Sequence, residues 1–218
     1  VREPFGVAPD TAVAAVFDRA CELVRSAGLA ETGDIADLGA ALPRDVFEAM
    51  WVTGRALGYA DLIRDRGDVM DPGLVRLGPL AGNYSLADYY QAMGTRRAFN
   101  VRMFGLLEDW DLLLMPTMPG TAFAADAEVP PGGEAGAPLP WVTWTPYTYP
   151  FNITGQPAIS IPCGLAPGEL PVGLQIVGPW AHDGRVLDFA ESCERALGPL
   201  GQDRVAPWRR HRAAGAGG

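Results

Sequence analysis

Lysine is absent from this chain: all 17 basic residues among the 218 are arginine. A guanidinium does not give up its proton in a protein, so no mechanism that runs through a lysine base can be completed by these residues alone. Histidine is nearly as scarce, with only His182 and His211. The three cysteines, Cys21, Cys163 and Cys193, make neither a CxxC pair nor a disulfide framework. No zinc ligand set is therefore in view and no cofactor is expected, while unpaired thiols suit a reducing cytoplasm. No stretch approaches the roughly 18 consecutive apolar residues that cross a bilayer, so no membrane association is expected. Positive charge is also in deficit: 26 acidic residues give a formal net charge of −9, where a nucleic-acid footprint would need a basic face. The one basic cluster, Arg209-Arg210-His211-Arg212, precedes a run of Ala and Gly. It reads as a solvated end, which makes 201–218 a flexible tail. The chain opens Val1-Arg2-Glu3-Pro4, with neither an initiator Met nor the basic-then-apolar layout of a signal peptide, as expected of a cut or processed end.

What the chain does have is core-forming material. Apolar residues make up 48% and charged residues 20%, the balance of a globular domain. Thr11–Ala27 reads as an amphipathic helix behind Asp10, with Val13, Val16, Phe17, Ala20, Leu23 and Val24 at three- and four-residue steps and Gly28 to end it. The stretch 29–42 is ambiguous and has room for one short strand. Pro43 opens a second helix to about Arg66, and the Gly- and Pro-broken stretch 67–84 reads as loop. Ser85 with Asp88 forms a capping-box pattern ahead of a long helix to about Glu108. The apolar run Asp111–Met115, closed by Pro116, fits a strand buried on both faces, as in parallel sheets. Residues 118–140 are rich in Pro, Gly and Ala without periodicity, the mark of a functional or disordered segment. Gly132-Gly133 within it has no strand before it and no helix close behind, so it is not a phosphate loop. Residues 158–161 and 172–177 form a hairpin pattern across Gly164–Glu169, and Asp183 caps a last helix to about Leu197. The segments 111–115, 157–162 and 171–177 are expected in one sheet, the last two as antiparallel neighbours.

Ahead of the hairpin lies the most suggestive segment. Asn152 can cap a short turn, Gly155 can take positive φ, and Pro157 can start a strand without a donor. Just before them, Trp144, Thr145, Tyr147 and Tyr149 interleave aromatic rings with hydroxyls, which is how small-molecule pockets are walled. These four are the candidate substrate-binding residues, expected to face a pocket.

Three blocks, in this order and spacing, resemble the C-terminal part of amidase-signature enzymes: Asp111-Leu112-Leu113-Leu114-Met115-Pro116-Thr117; Tyr149-Pro150-Phe151-Asn152-Ile153-Thr154-Gly155-Gln156-Pro157-Ala158-Ile159-Ser160-Ile161-Pro162-Cys163-Gly164; and Leu170-Pro171-Val172-Gly173-Leu174-Gln175-Ile176-Val177-Gly178. The resemblance covers nearly all of 8–200. It implies an α/β fold, the C-terminal part of the amidase-signature fold, with a mixed β-sheet covered by helices. It makes residues 1–200 the C-terminal half of an amidase-signature domain. It also implies amide hydrolysis by a Ser–Ser–Lys triad, in which a desolvated neutral lysine is the base. In that family the serines come from a Gly/Ser-rich stretch with the lysine upstream. Neither is here: Ser26, Ser85, Ser160 and Ser192 all lack a Gly-rich setting, and Ser160 lies within a strand. No catalytic residue is therefore expected in this chain. Its expected partners are a small-molecule amide and the missing N-terminal half of the same enzyme, with a homodimer left open. The amidase-like components of glutamyl-tRNA amidotransferases share the scaffold and place an acid where Thr145 stands, which disfavours glutamine; a pocket arginine of the family corresponds to Arg76. An A-subunit-like part of a glutamyl-tRNA amidotransferase, or a non-catalytic scaffold derived from the fold, are the alternatives.

Overall fold

A computed structural model describes residues 1–35 and 38–198. The expected tail, 201–218, lies outside the described residues. The chain runs through α1 (Thr11–Ser26), α2 (Arg44–Gly58), α3 (Ala60–Arg66), the short helices α4 (Pro72–Val75) and α5 (Leu77–Ala81), and α6 (Leu86–Asp109). It continues through β1 (Leu113–Pro116), α7 (Tyr149–Thr154), β2 (Ala158–Ala166), β3 (Leu170–Val177) and α8 (Asp183–Leu197).

The three strands form one sheet in the order β1-β3-β2, both pairings antiparallel. Leu113 stands opposite Val177 and Pro116 opposite Leu174, while Ala158 faces Val177 and Ile161 faces Leu174. A bulge between Pro162 and Gly164 interrupts the hairpin. The hairpin and the shared sheet are as the sequence indicates. The direction of β1 is not: its apolar run suggests a parallel strand, and it is antiparallel to β3. Its burial has a different cause, because helices cover β1 from both sides.

Alternation along the strands builds two cores. On one face Ile161, Cys163, Val172, Leu174 and Ile176 meet Val13, Val16, Phe17, Ala20 and Val24 of α1 and Val186, Ala190 and Cys193 of α8. On the other face Leu113, Met115 and Val177 pack with Val46, Phe47 and Val52 of α2, Phe99, Met103 and Leu106 of α6, and Tyr149, Phe151 and Ile153 of α7. The second helical layer stops short of β2, whose Ala158, Ser160 and Pro162 are exposed. That bare strip of sheet is what positions the candidate site.

Several local expectations change. The stretch 67–84 is not loop: Asp71 accepts from the Leu74 amide at 3.1 Å to cap α4 behind Pro72, and α5 buries Leu77 in the core shared with α2. Gly and Pro there shorten helices instead of abolishing them. The helix expected to run to Arg66 breaks at Tyr59 (φ −110°, ψ 9°), just past Gly58. Among the described residues of 29–42 there is no strand; Leu38 is instead fully buried, with its carbonyl accepting from Arg102 Nε at 2.9 Å. Asp183 is the first residue of α8, and His182 occupies the cap position. Asn152 lies within α7, exposed, and does not cap it.

Candidate functional site

The bare strip of β2 forms the floor of a cleft of about 630 Å³. Ser160 and Pro162 of β2, Val172 and Gly173 of β3 and Thr117, just past β1, form the base. The irregular segment from Met118 to Pro130 makes one wall and Trp144 closes another.

Three residues set the chemistry of the floor. Thr117 and Ser160 stand on opposite sides of β3, yet their hydroxyls are 2.6 Å apart. They meet because Gly173 between them has no side chain: a Cβ there would lie 2.5 Å from Thr117 Oγ1 and 2.6 Å from Ser160 Oγ. One hydroxyl donates to the other, which leaves one O–H free to donate and lone pairs free to accept. The pair is the polar spot on an otherwise apolar floor. Among the described residues no imidazole, thiol or amine lines this cleft, so none of them stands beside Ser160 as the base that an activated serine needs.

The wall is held by polar contacts of its own. Phe123 meets the Trp144 ring edge-on, with centroids 5.1 Å apart. Trp144 Nε1 donates to the Glu128 carbonyl at 3.2 Å, and the Glu128 carboxylate pairs with Arg76 at 2.7 Å. Arg76 thus braces the outside of the loop and does not line the cleft.

The four candidate binding residues are divided by the structure. Trp144 lines the cleft. Thr145 is half-buried and donates to the Trp141 carbonyl at 3.1 Å. Tyr147 is 0% exposed; its hydroxyl donates to the Val7 carbonyl at 2.6 Å and its own carbonyl accepts from Gln175 Nε2 at 2.8 Å. Tyr149 sits in the core with its ring 4.9 Å from Phe47. The expectation that all four face a pocket is corrected for Tyr147 and Tyr149, which are core residues, and Thr145 does not line the cleft either. A short 3-10 helix at Pro140–Trp144 and the start of α7 turn alternate rings inward, and rings of that size are worth more buried than exposed. Burial pushes the Tyr149 phenol up to about 12, the nearby Arg44 guanidinium opposing it, and drives Tyr147 further in the same direction. Both therefore stay neutral and serve as hydrogen-bonding core residues.

Sequence reading missed the floor. Thr117, Ser160 and Gly173 all lie in the three motif blocks, and the signal was a glycine set in an otherwise apolar strand, Val172-Gly173-Leu174, which marks a close approach.

A second hollow, of about 1210 Å³, lies at the other end of the sheet between α1, α8 and the α6–β1 link, lined in part by Arg2, Asp18, Arg25 and Arg185. Its cysteine, Cys21, has its thiol pKa raised, chiefly by burial, which suppresses the thiolate that reactivity requires.

Comparison with known proteins bears on the family and the fold. The Amidase family model matches residues 1–187. A glutamyl-tRNA(Gln) amidotransferase component of Halothermothrix orenii is 34% identical over 155 residues, which is 70% of this chain and 29% of that protein. The protein of the same name from Thermus thermophilus is 38% identical over 129 residues, 56% of this chain and 26% of the relative. The chain thus spans about three tenths of the length of these curated relatives. Among solved structures, 6-aminohexanoate cyclic dimer hydrolase in complex with substrate superposes with a TM-score of 0.70 at 21% identity, covering 88% of this chain and 43% of that one. A bacterial aryl acylamidase of the amidase-signature family gives 0.69 at 21% identity, covering 99% and 45%. At that identity the likeness is one of fold. Helices on both sides of a small antiparallel sheet, the Pro-Thr and Gly-Gln-Pro turns that frame it and the match over 1–187 place this chain in the amidase family, with the amidase-signature fold.

Proposed function

We propose that the chain is the carboxy-terminal part of an amidase that hydrolyses the C–N bond of a small, uncharged carboxylic amide bearing an aryl or aliphatic group. In this reading the Ser–Ser–Lys triad lies outside the chain, which contributes sheet core and the substrate pocket. The observation that carries it is the cleft over β2, which is apolar, lined by Trp144 and polar at one spot, with no base near its serine among the described residues. Such a surface binds an amide but does not activate a nucleophile. Within the substrate-binding segment Trp144 acts at the cleft, while Thr145, Tyr147 and Tyr149 support the segment that carries it. The remaining partner is the N-terminal half of the same enzyme, which brings the reacting groups. The expected setting is the cytoplasm.

The test is Trp144→Ala in the complete enzyme. Loss of an aromatic wall that contacts ground state and transition state alike raises KM for an aryl amide by about tenfold and leaves kcat nearly unchanged. An unchanged KM would put substrate elsewhere.

A second reading rests on the names of the curated relatives, which belong to glutamyl-tRNA(Gln) amidotransferases. It makes glutamine the substrate and passes ammonia to a second protein of the complex. Thr145 disfavours it, since a hydroxyl offers glutamine's ammonium group less than a carboxylate does. Glutamine hydrolysis faster than aryl-amide hydrolysis by the complete enzyme would favour it.

A further inference from the structure

Gln175, in the middle of β3, is 5% exposed. Its neighbours Leu174, Ile176 and Val177 are all fully buried and apolar. An apolar side chain at 175 would fill the same space without an amide to satisfy, and a polar group kept at such depth has to be paired.

The sheet places Gln175 on a boundary. Alternate residues of a strand share a face, so Gly173, Gln175 and Val177 point the same way. Gly173 lies in the floor of the cleft and Val177 in the helix-covered core. Across the sheet Gln175 stands between Met115 and Ser160. Met115 is fully buried, while Ser160 lines the cleft. The Gln175 side chain therefore leaves the sheet at the edge of the floor, where the covering layer begins.

There its Nε2 donates to the main-chain carbonyl of Tyr147 at 2.8 Å. Tyr147 belongs to the turn that carries Trp144. Thr145 Oγ1 donates to the Trp141 carbonyl at 3.1 Å and Thr148 Oγ1 to the Thr145 carbonyl at 3.2 Å, which ties 141–148 into one unit. A bond to a main-chain oxygen fixes the path of that backbone whatever side chain stands at 147. The Tyr147 hydroxyl meanwhile donates to the Val7 carbonyl. In the same N-terminal stretch the Asp10 amide donates to the carbonyl of Pro119, in the other wall of the cleft, at 2.7 Å. Residue 147 is thus where the sheet and both walls are joined. Every one of these bonds lies within the described residues and owes nothing to parts of an enzyme outside the chain.

We propose that Gln175 is a positioning residue for the cleft: its amide sets the Trp144 wall at its height above the Thr117–Ser160 floor. The inference rests on the reading of the cleft as the substrate site and adds the side chain that fixes its shape. Gln175 does not line the cleft, so it acts through the turn and not on the substrate.

The experiment is a double-mutant cycle in the complete enzyme, with an aryl amide as probe. Gln175→Met keeps the volume and removes the donor. Gln175→Asn keeps the amide and is one methylene too short to reach. Each is expected to raise KM about fivefold with kcat nearly unchanged, since the wall meets ground state and transition state alike. In the Trp144→Ala background either change is expected to raise KM by less than about twofold, because groups that act through one another do not add. A residue that only stabilised the fold would give the same factor in both backgrounds. Hydrogen exchange read by mass spectrometry is the second measurement. Gln175→Met is expected to speed exchange across 141–148 by about tenfold and to leave α1 and α8 as in the wild type. Exchange reads the positioning whether or not Trp144 meets substrate. Trp144→Ala with unchanged KM would therefore overturn the cleft reading and this inference with it, whereas unchanged exchange across 141–148 overturns this inference alone. Equal KM factors in the two backgrounds, or a Gln175→Met enzyme that does not fold, would overturn it as well.

Discussion

Gly173 shows how much one missing side chain can decide. With hydrogen at that position the Thr117 and Ser160 hydroxyls reach each other across β3; with a methyl group both must move. Gly173→Ala is therefore expected to destabilise the chain by about 1–3 kcal/mol through overpacking and loss of the bond. Gly54→Ala, at an exposed site in α2 where a Cβ meets nothing within 4 Å, is expected to stabilise it by about 0.5–1 kcal/mol. Urea denaturation of the two variants, with midpoints shifted in opposite directions, checks this. The buried thiols make a second prediction at the same scale. Burial pushes Cys163 up to about 12 and Cys193 up to about 11, from ordinary values of 9.0. Above pH 9 the unfolded chain loses these protons and the folded chain keeps them. Stability is thus intact below pH 9 and falls as pH rises from there toward 11–12. Cys163→Ala should flatten that fall even though its cavity lowers stability at pH 7, and thermal melts at pH 7 and pH 10 separate the two effects.

At the scale of elements, boundaries with their own local chemistry were legible. Ser85 and Asp88 make the reciprocal capping box that their spacing indicates, Ser85 Oγ accepting from the Asp88 amide at 3.2 Å and Asp88 accepting from the Ser85 amide at 2.8 Å. Ser85→Ala is expected to cost about 1 kcal/mol, read as a lowered urea midpoint. Gly155 takes φ 73° and closes α7, as its place before Pro157 suggests. The elements that sequence reading lost depend on distant partners. α4 and α5 are too short to show a period, and α5 persists because Leu77 finds a place in the core shared with α2. The direction of β1 was invisible because an apolar run reports burial, not its neighbour's polarity. The inward turn of Tyr147 was equally hidden, since its hydroxyl finds the Val7 carbonyl 140 residues away.

For the whole molecule, composition and the three motif blocks were sufficient to identify the family, because the blocks are the turns and strands that build the sheet. They were not sufficient to locate the cleft, which exists only where three separate strands and the 118–130 segment come together. On the proposed reading, a serine inside a motif block is chemically idle. Ser160 touches a threonine hydroxyl and lines a cleft without a base among the described residues, and the chain has no lysine to supply one. The central claim is therefore that this chain shapes a substrate site without containing its nucleophile. The most direct measurement is labelling of purified residues 1–218 with a serine-reactive fluorophosphonate, followed by an aryl-amide assay. The expected result is no specific labelling of any serine and no turnover above background, since removal of the reacting groups leaves at most about 10³–10⁴-fold over the uncatalysed rate. Stoichiometric labelling of Ser160, or amide hydrolysis abolished by Ser160→Ala, would contradict it.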